Sequence, residues 1–310
     1  MFEVNLASYH KLNGNNKIPR CYGDSYLVQK DGMLYVAQVF YQSMIKDDVD
    51  RGISTYHCEI NAMNRLNNGV KSILKYYGYN NNNRGLHSKS VILLEYINGK
   101  SLQEVKKTEL SDTNRFKIII GSGLGMKYAH SKGVCHRDLS TENILLDSNL
   151  EPKICNFESS KILEDTTIDE LTTTVRGKIA YMDPNIYDND DDGYNPKLAD
   201  VYSFAYIMYY VLGGNDVINL RKSLSNFDKR PCLNGIDDRF HQLISSCWST
   251  DEETRPSFNT IVERLLNREM WLGDEKEIED YIGSFDPELL KNPDIIDVKV
   301  DMPKLAKSVE

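Results

Sequence analysis

The sequence predicts an α+β fold in which a small β-rich lobe, residues 15–97, precedes a larger, mainly helical lobe, residues 98–268. Three observations predict it. Strand-like runs with turn chemistry between them dominate the early part of the chain, with one helical stretch among them. Beyond Asn98-Gly99 apolar residues recur at helical spacing instead. The stretch Lys197 to Leu212 is apolar nearly all round, which marks a helix buried inside a domain rather than laid on its surface.

Residues 1–14 are read as a separate N-terminal segment. From Asp24 to Phe40, Tyr26-Leu27-Val28 and Leu34-Tyr35-Val36 flank Lys30-Asp31-Gly32, the signature of a hairpin. Ile53, Tyr56, Ile60 and Met63 then keep helical spacing up to Asn67-Asn68-Gly69, where Gly69 is expected to supply the left-handed stop. Two further strands are expected over Ile73–Tyr79 and Val91–Tyr96, with the asparagine tract from Asn80 as a solvated loop between them. Ser101-Leu102-Gln103-Glu104 matches a capping box, and Phe116 to Lys132 reads as a long buried helix. Residues 271–310 carry 11 acidic and 5 basic side chains, a net of −6 out of −9 for the chain, so 269–310 reads as an acidic tail with some helix.

A net charge of −9 offers no general attraction to phosphate backbones or anionic lipid, which argues against nucleic-acid and membrane-surface roles. No run approaches the roughly 18 to 20 apolar residues of a membrane span, and the start has no charged region leading into an apolar one. The six cysteines are scattered without a CxxC pair, which suits reduced thiols in the cytoplasm. A two-lobed chain places its ligand cleft at the joint, here near Tyr96 to Gly99.

His136-Arg137-Asp138-Leu139-Ser140-Thr141-Glu142-Asn143, followed by Ile144-Leu145-Leu146-Asp147, resembles the catalytic loop of protein kinases. The resemblance continues in order over residues 15–268, closest in wording to the tyrosine-kinase-like serine/threonine group. Asp200-Val201-Tyr202-Ser203-Phe204 looks like the start of the buried anchoring helix, and Cys247-Trp248 with Arg255-Pro256-Ser257-Phe258 looks like the last landmark. The resemblance implies a two-lobed kinase fold and assigns roles. Asp138 would accept the substrate hydroxyl's proton, Asn143 would help hold a metal, and Arg137 would receive an activation-loop phosphate. Glu59 would partner the ATP lysine, Glu95-Tyr96 would form the hinge with Leu94 as gatekeeper, and Val36 and Leu145 would line the nucleotide. Met63, Tyr76, His136 and Phe157 would stack as a spine anchored by Asp200.

Against that pattern the nucleotide-handling positions are altered. Gly23 aligns with the third glycine of the phosphate-covering loop, but Ile18 and Arg20 stand where the first two belong, so a Cβ blocks backbone approach to phosphate. Ser25 replaces the valine that roofs adenine. Gln38 occupies the ATP-lysine position and brings no charge. Asn156-Phe157-Glu158 replaces Asp-Phe-Gly, leaving Asn156 to offer one neutral oxygen to Mg²⁺; Glu158 would rescue the site only by turning inward. Asp183-Pro184-Asn185 replaces Ala-Pro-Glu, so Asn185 loses the ion pair with Arg255 and keeps at most a hydrogen bond. Ser140 and Lys178 exchange the usual lysine and threonine, and Lys178 is expected to reach back toward Asp138 and Ser140.

These departures imply a pseudokinase that scaffolds or allosterically controls protein partners, an active kinase being one candidate. Weak ATP binding without well-held Mg²⁺ is expected. The alternative is an active atypical serine/threonine kinase in which Asp138 is the base and Arg20 or Lys17 replaces the lysine. Thr166, Thr167, Thr172, Thr173 and Thr174 lie in the activation segment as candidate phosphorylation sites.

Overall fold

The computed structural model describes residues 6–12, 24–41, 55–81, 89–163, 177–188, 193–215 and 230–291. In the first lobe, β1 (His10–Lys11), β2 (Ser25–Lys30) and β3 (Met33–Tyr41) are followed by α1 (Thr55–Leu66), β4 (Tyr76–Asn81) and β5 (Lys89–Glu95). The strands form one antiparallel sheet in the order β1-β2-β3-β5-β4. Asp31 and Gly32 both have positive φ, 51° and 79°, the two-residue turn whose twist matches that of the strands it joins. Val36, Ile92 and Leu94 face the main core, while Val28, Ala37, Val39, Val91 and Leu93 form a second cluster on the opposite face. Leu6 and Tyr9 pack on that second cluster, so the described part of the N-terminal segment covers the sheet and β1 extends it.

The end of α1 differs from expectation. The left-handed positions are Asn67 (φ 45°) and Asn68 (φ 54°), and Gly69 is glycine because a Cβ there would overlap the Tyr128 ring. The Tyr128 hydroxyl caps the helix by donating to the Leu66 carbonyl at 2.8 Å. Asn68 exchanges two 2.8 Å hydrogen bonds with the Tyr76 backbone, aligning the next strand. That strand begins at Tyr76 rather than Ile73 and runs on through Asn80 and Asn81, so the asparagine tract is partly ladder. Ile73 instead makes a parallel bridge to Ile154, flanked by Leu74 N–H to Ile154 O (2.9 Å) and Ile154 N–H to Ser72 O (2.7 Å). This short ladder ties the two lobes together.

The second lobe contains β6 (Lys100–Ser101), α2 (Asp112–Ser131), β7 (Val134–Cys135), β8 (Ile144–Leu146), β9 (Pro152–Ile154) and β10 (Lys161–Ile162). Then come α3 (Asn185–Asp188), α4 (Pro196–Val211), α5 (Asp238–Cys247), α6 (Phe258–Leu266), α7 (Glu275–Gly283) and α8 (Pro287–Lys291). The expected capping box does not start a helix. Glu104 accepts from the Ser101 amide and hydroxyl, both at 3.1 Å, but across a turn, and α2 starts at Asp112 under the N-cap Ser111. Helix α4 is capped by Asn195, opens on Pro196 and is buried without a break from Ala199 to Val211.

The acidic segment from 269 packs closely as far as it is described. Trp271, Leu272, Ile278, Tyr281, Ile282, Phe285 and Leu289 join the main core, and Lys117 of α2 pairs with Glu277 at 2.6 Å. Lys71 lies over the rings of Tyr281 (4.1 Å) and Phe285 (4.7 Å) while pairing with Glu151 at 3.1 Å. No helix among the described residues is long and apolar enough to cross a membrane.

Candidate functional site

Asp200, one turn into buried α4, fixes the loop between β7 and β8. Its carboxylate accepts from the backbone N–H of His136 (2.8 Å) and Arg137 (2.7 Å) and lies 2.9 Å from His130 Nε2. These bonds hold Arg137 at φ 65°, a conformation a non-glycine residue keeps only when its surroundings demand it. His130, Cys135 and Asp200 approach closely enough to hold a metal. Asp200 is already occupied by backbone donors, and burial raises the Cys135 thiol far above its ordinary value, so the grouping reads as an anchor.

The anchored loop presents Asp138 with both oxygens held. Oδ1 accepts the Lys178 backbone N–H at 3.0 Å, and Oδ2 accepts Asn143 Nδ2 at 2.9 Å. Gly177, at φ 106°, permits this approach because a Cβ there would press on the Arg137 carbonyl. The Lys178 ammonium, expected to reach back toward Asp138 and Ser140, does not pair with Asp138. It pairs with Glu142 at 2.6 Å and reaches only the Ser140 hydroxyl, at 3.5 Å. Its side chain and that of Glu142 are 33% and 40% exposed, so the pair contributes at most about 1 kcal/mol. Arg137 Nε donates to the Tyr194 hydroxyl at 3.0 Å.

Deeper in the cleft, Val36 and Leu94 are register partners and are buried with Leu145 in one core. Tyr96 packs on the same core, half-buried. Glu95 pairs with Lys153 at 3.3 Å and accepts the Lys75 amide at 3.0 Å, which ties the hinge to β9. Met63, Tyr76, His136 and Phe157 are all buried, with the His136 and Phe157 rings 4.7 Å apart. Glu59 is 1% exposed on α1.

Gln38, 3% exposed on β3, donates through Nε2 to Glu158 Oε1 at 2.8 Å. Glu158 therefore does turn inward, and toward Gln38. Burial pushes its carboxyl above the ordinary range, the Gln38 bond opposes this, and nearby Asp138 adds to it. Asn156, at φ 66°, donates to Asn143 Oδ1 at 3.2 Å and leaves its own Oδ1 buried without a hydrogen-bond partner. At the metal position Asn156 brings a neutral amide where the kinase pattern has a carboxylate, which does not fit magnesium's preference for anionic oxygen. Gly23, Ile18, Arg20, Lys17 and the activation-segment threonines lie outside the described residues.

The largest correction is at Arg255. Its guanidinium forms a two-point ion pair with Asp183, both side chains wholly buried, with Nη2 to Oδ1 at 3.0 Å. Asn185 turns away and donates to the Thr250 carbonyl at 3.1 Å. Asn185 forms no ion pair with Arg255, and the carboxylate two residues earlier in the chain supplies it. Asp183, Glu142, Lys153 and Tyr194 were not singled out as partners; only Asp183, inside the altered Asp-Pro-Asn landmark, carried a signal.

The family described as Protein kinase domain matches residues 22–266. A probable serine/threonine-protein kinase of Dictyostelium discoideum is 33% identical over 185 residues, covering 56% of this chain and 19% of that protein. The LRR receptor-like serine/threonine-protein kinase FEI 2 of Arabidopsis thaliana is 37% identical over 58% of this chain and 34% of its own length. Human Ephrin type-A receptor 8 is 31% identical over 57% of this chain and 18% of its own length. The chain thus spans well under half of these relatives.

Proposed function

Since this chain belongs to the protein kinase family, we propose that it uses the two-lobed kinase shape as a binding module that scaffolds or allosterically controls a protein partner. On this reading it does not transfer phosphate. The observation that carries the proposal is the Gln38–Glu158 hydrogen bond, which puts an amide and a carboxylate where the family pattern has a lysine and a glycine. A nucleotide phosphate entering there meets no lysine from β3 and two carboxylates, Glu158 and Asp138. Losing several charge-stabilising groups that act as one unit removes nearly all rate, since one alone commonly contributes about 10² to 10³. The buried spine and the Asp200 anchor keep the shape that a partner would recognise. A cytoplasmic location, with reduced cysteines, belongs to the same proposal.

A second reading, an active atypical serine/threonine kinase, is favoured by one observation: Asp138 and Asn143 keep an ordered catalytic-loop geometry. Thermal unfolding with ATP, with and without Mg²⁺, separates the two. The proposal expects no Mg²⁺-dependent shift, whereas a ligand at 100 times its Kd adds about 2.7 kcal/mol. A large shift with Mg²⁺·ATP, accompanied by phosphate transfer to a protein hydroxyl, would overturn it.

A further inference from the structure

We propose that Glu158 is a built-in stand-in for a nucleotide phosphate, its carboxylate engaging Gln38 across the cleft and latching the lobes together without a ligand. The inference rests on the pseudokinase reading and deepens it. A carboxylate and a phosphate present the same chemistry to a donor on β3, a compact anion with oxygen acceptors. Glycine at the position of Glu158 would have no side chain to offer. Here the residue two places after Asn156 reaches from the second lobe into the first, and its acceptor lies 2.8 Å from a donor that is 3% exposed.

Other contacts hold the same closed arrangement on either side of the latch. Ser160, two residues further on, donates its hydroxyl to the Cys58 carbonyl of α1 at 3.3 Å. Arg65, at the other end of α1, donates to the Lys132 carbonyl at 2.6 Å. Lys153 pairs with Glu95 at the hinge. The first lobe is thus tied to the second along α1, β3 and the hinge, and the tie at β3 sits where a nucleotide would have to enter. An incoming phosphate must displace Glu158 and then remain beside it and Asp138, two like charges.

The latch makes a prediction opposite to that of a metal-binding Glu158. Restoring the lysine alone should do nothing, because the ammonium introduced by Gln38→Lys pairs with Glu158 more strongly than the amide does. The test compares wild type, Gln38→Lys, Glu158→Gly and the double variant, with binding of ATP in EDTA read by calorimetry. Gln38→Lys should bind no better than wild type. Glu158→Gly should tighten binding about tenfold, the effect of freeing a site open about one tenth of the time. The double variant should exceed Gln38→Lys by a still larger factor. Glu158→Gln keeps an oxygen acceptor for Gln38 but removes the like charge, so its gain should fall well short of that of Glu158→Gly; if Glu158→Gly does not fold, Glu158→Ser removes the reach of the side chain equally.

An inert wild type whose Glu158→Gly form stays inert overturns the latch and leaves the pseudokinase reading standing. Equal gains from Gln38→Lys alone and from the double variant overturn it too. Wild type that binds Mg²⁺·ATP and loses it in both Glu158→Gln and Glu158→Gly makes Glu158 a metal ligand, and overturns the latch and the pseudokinase reading together.

Discussion

Arg255 shows how a single side chain can carry a function that the sequence pattern assigns elsewhere. Its guanidinium donates to Asp183, to the Ser249 carbonyl at 2.9 Å and to the Leu198 carbonyl at 3.2 Å, and it stacks 5.0 Å from the Tyr202 ring centre. Removing one partner of such a buried pair leaves the other charge uncompensated, at a cost of about 3–5 kcal/mol. Asp183→Ala should therefore lower the unfolding free energy measured in urea by that amount, while Asn185→Ala, at a position bonded to an outer carbonyl, should stay within about 0.5 kcal/mol. The opposite ranking would mean that Asp183 does not hold Arg255. The need for an anion at this point was legible in the sequence, since Arg255 stood in its landmark. Which residue meets it was not, because that depends on how the chain turns at Pro184. Lys178 failed to be legible for the same reason: its backbone reaches Asp138, and its ammonium finds the nearer Glu142.

Among the elements, those specified by local chemistry were legible and those specified by a distant neighbour were not. The Asp31-Gly32 hairpin follows from residues that tolerate positive φ, and α4 follows from a run of apolar residues too long for a surface helix. Gly69 misled because glycine has two uses, and here close packing against Tyr128 is the operative one. Gly121 of α2 is the same kind of site: a Cβ there would overlap the Tyr281 hydroxyl and press on the Pro152 ring. Gly121→Ala should therefore destabilise by about 1–3 kcal/mol through overpacking, despite alanine's better helix propensity. Gly283, at the end of α7, has open space around its Cβ position and no positive φ, so Gly283→Ala should stabilise by about 0.4–1 kcal/mol. Thermal midpoints of the two variants should move in opposite directions, and a shared sign would mean that Tyr281 does not sit on α2.

At the scale of the whole molecule, the described structure extends past the last kinase landmark, and the acidic composition of 269–310 hid this. Charge counted over a segment says what its exposed face carries, whereas packing depends on the few apolar residues facing inward. In α7 those are Ile278, Tyr281 and Ile282, spaced three and one apart among exposed acidic neighbours, and Phe285 and Leu289 continue the stripe. With Trp271 and Leu272 they cover α2 and the loop around Lys71 that links the lobes. Burying one such side chain is worth about 1.5–3 kcal/mol, so losing seven together is as large as the roughly 5–15 kcal/mol by which a domain is stable. A chain ended at Arg268 should therefore fail to unfold cooperatively and should expose apolar surface, even though it retains the whole matched kinase segment. A chain ended at Lys291 keeps all seven residues and should unfold in one transition. Circular dichroism melts of the two chains, with dye binding to report exposed apolar surface, give the comparison; a cooperative melt of the shorter chain would show that residues 269–291 are an appendage, not part of the core.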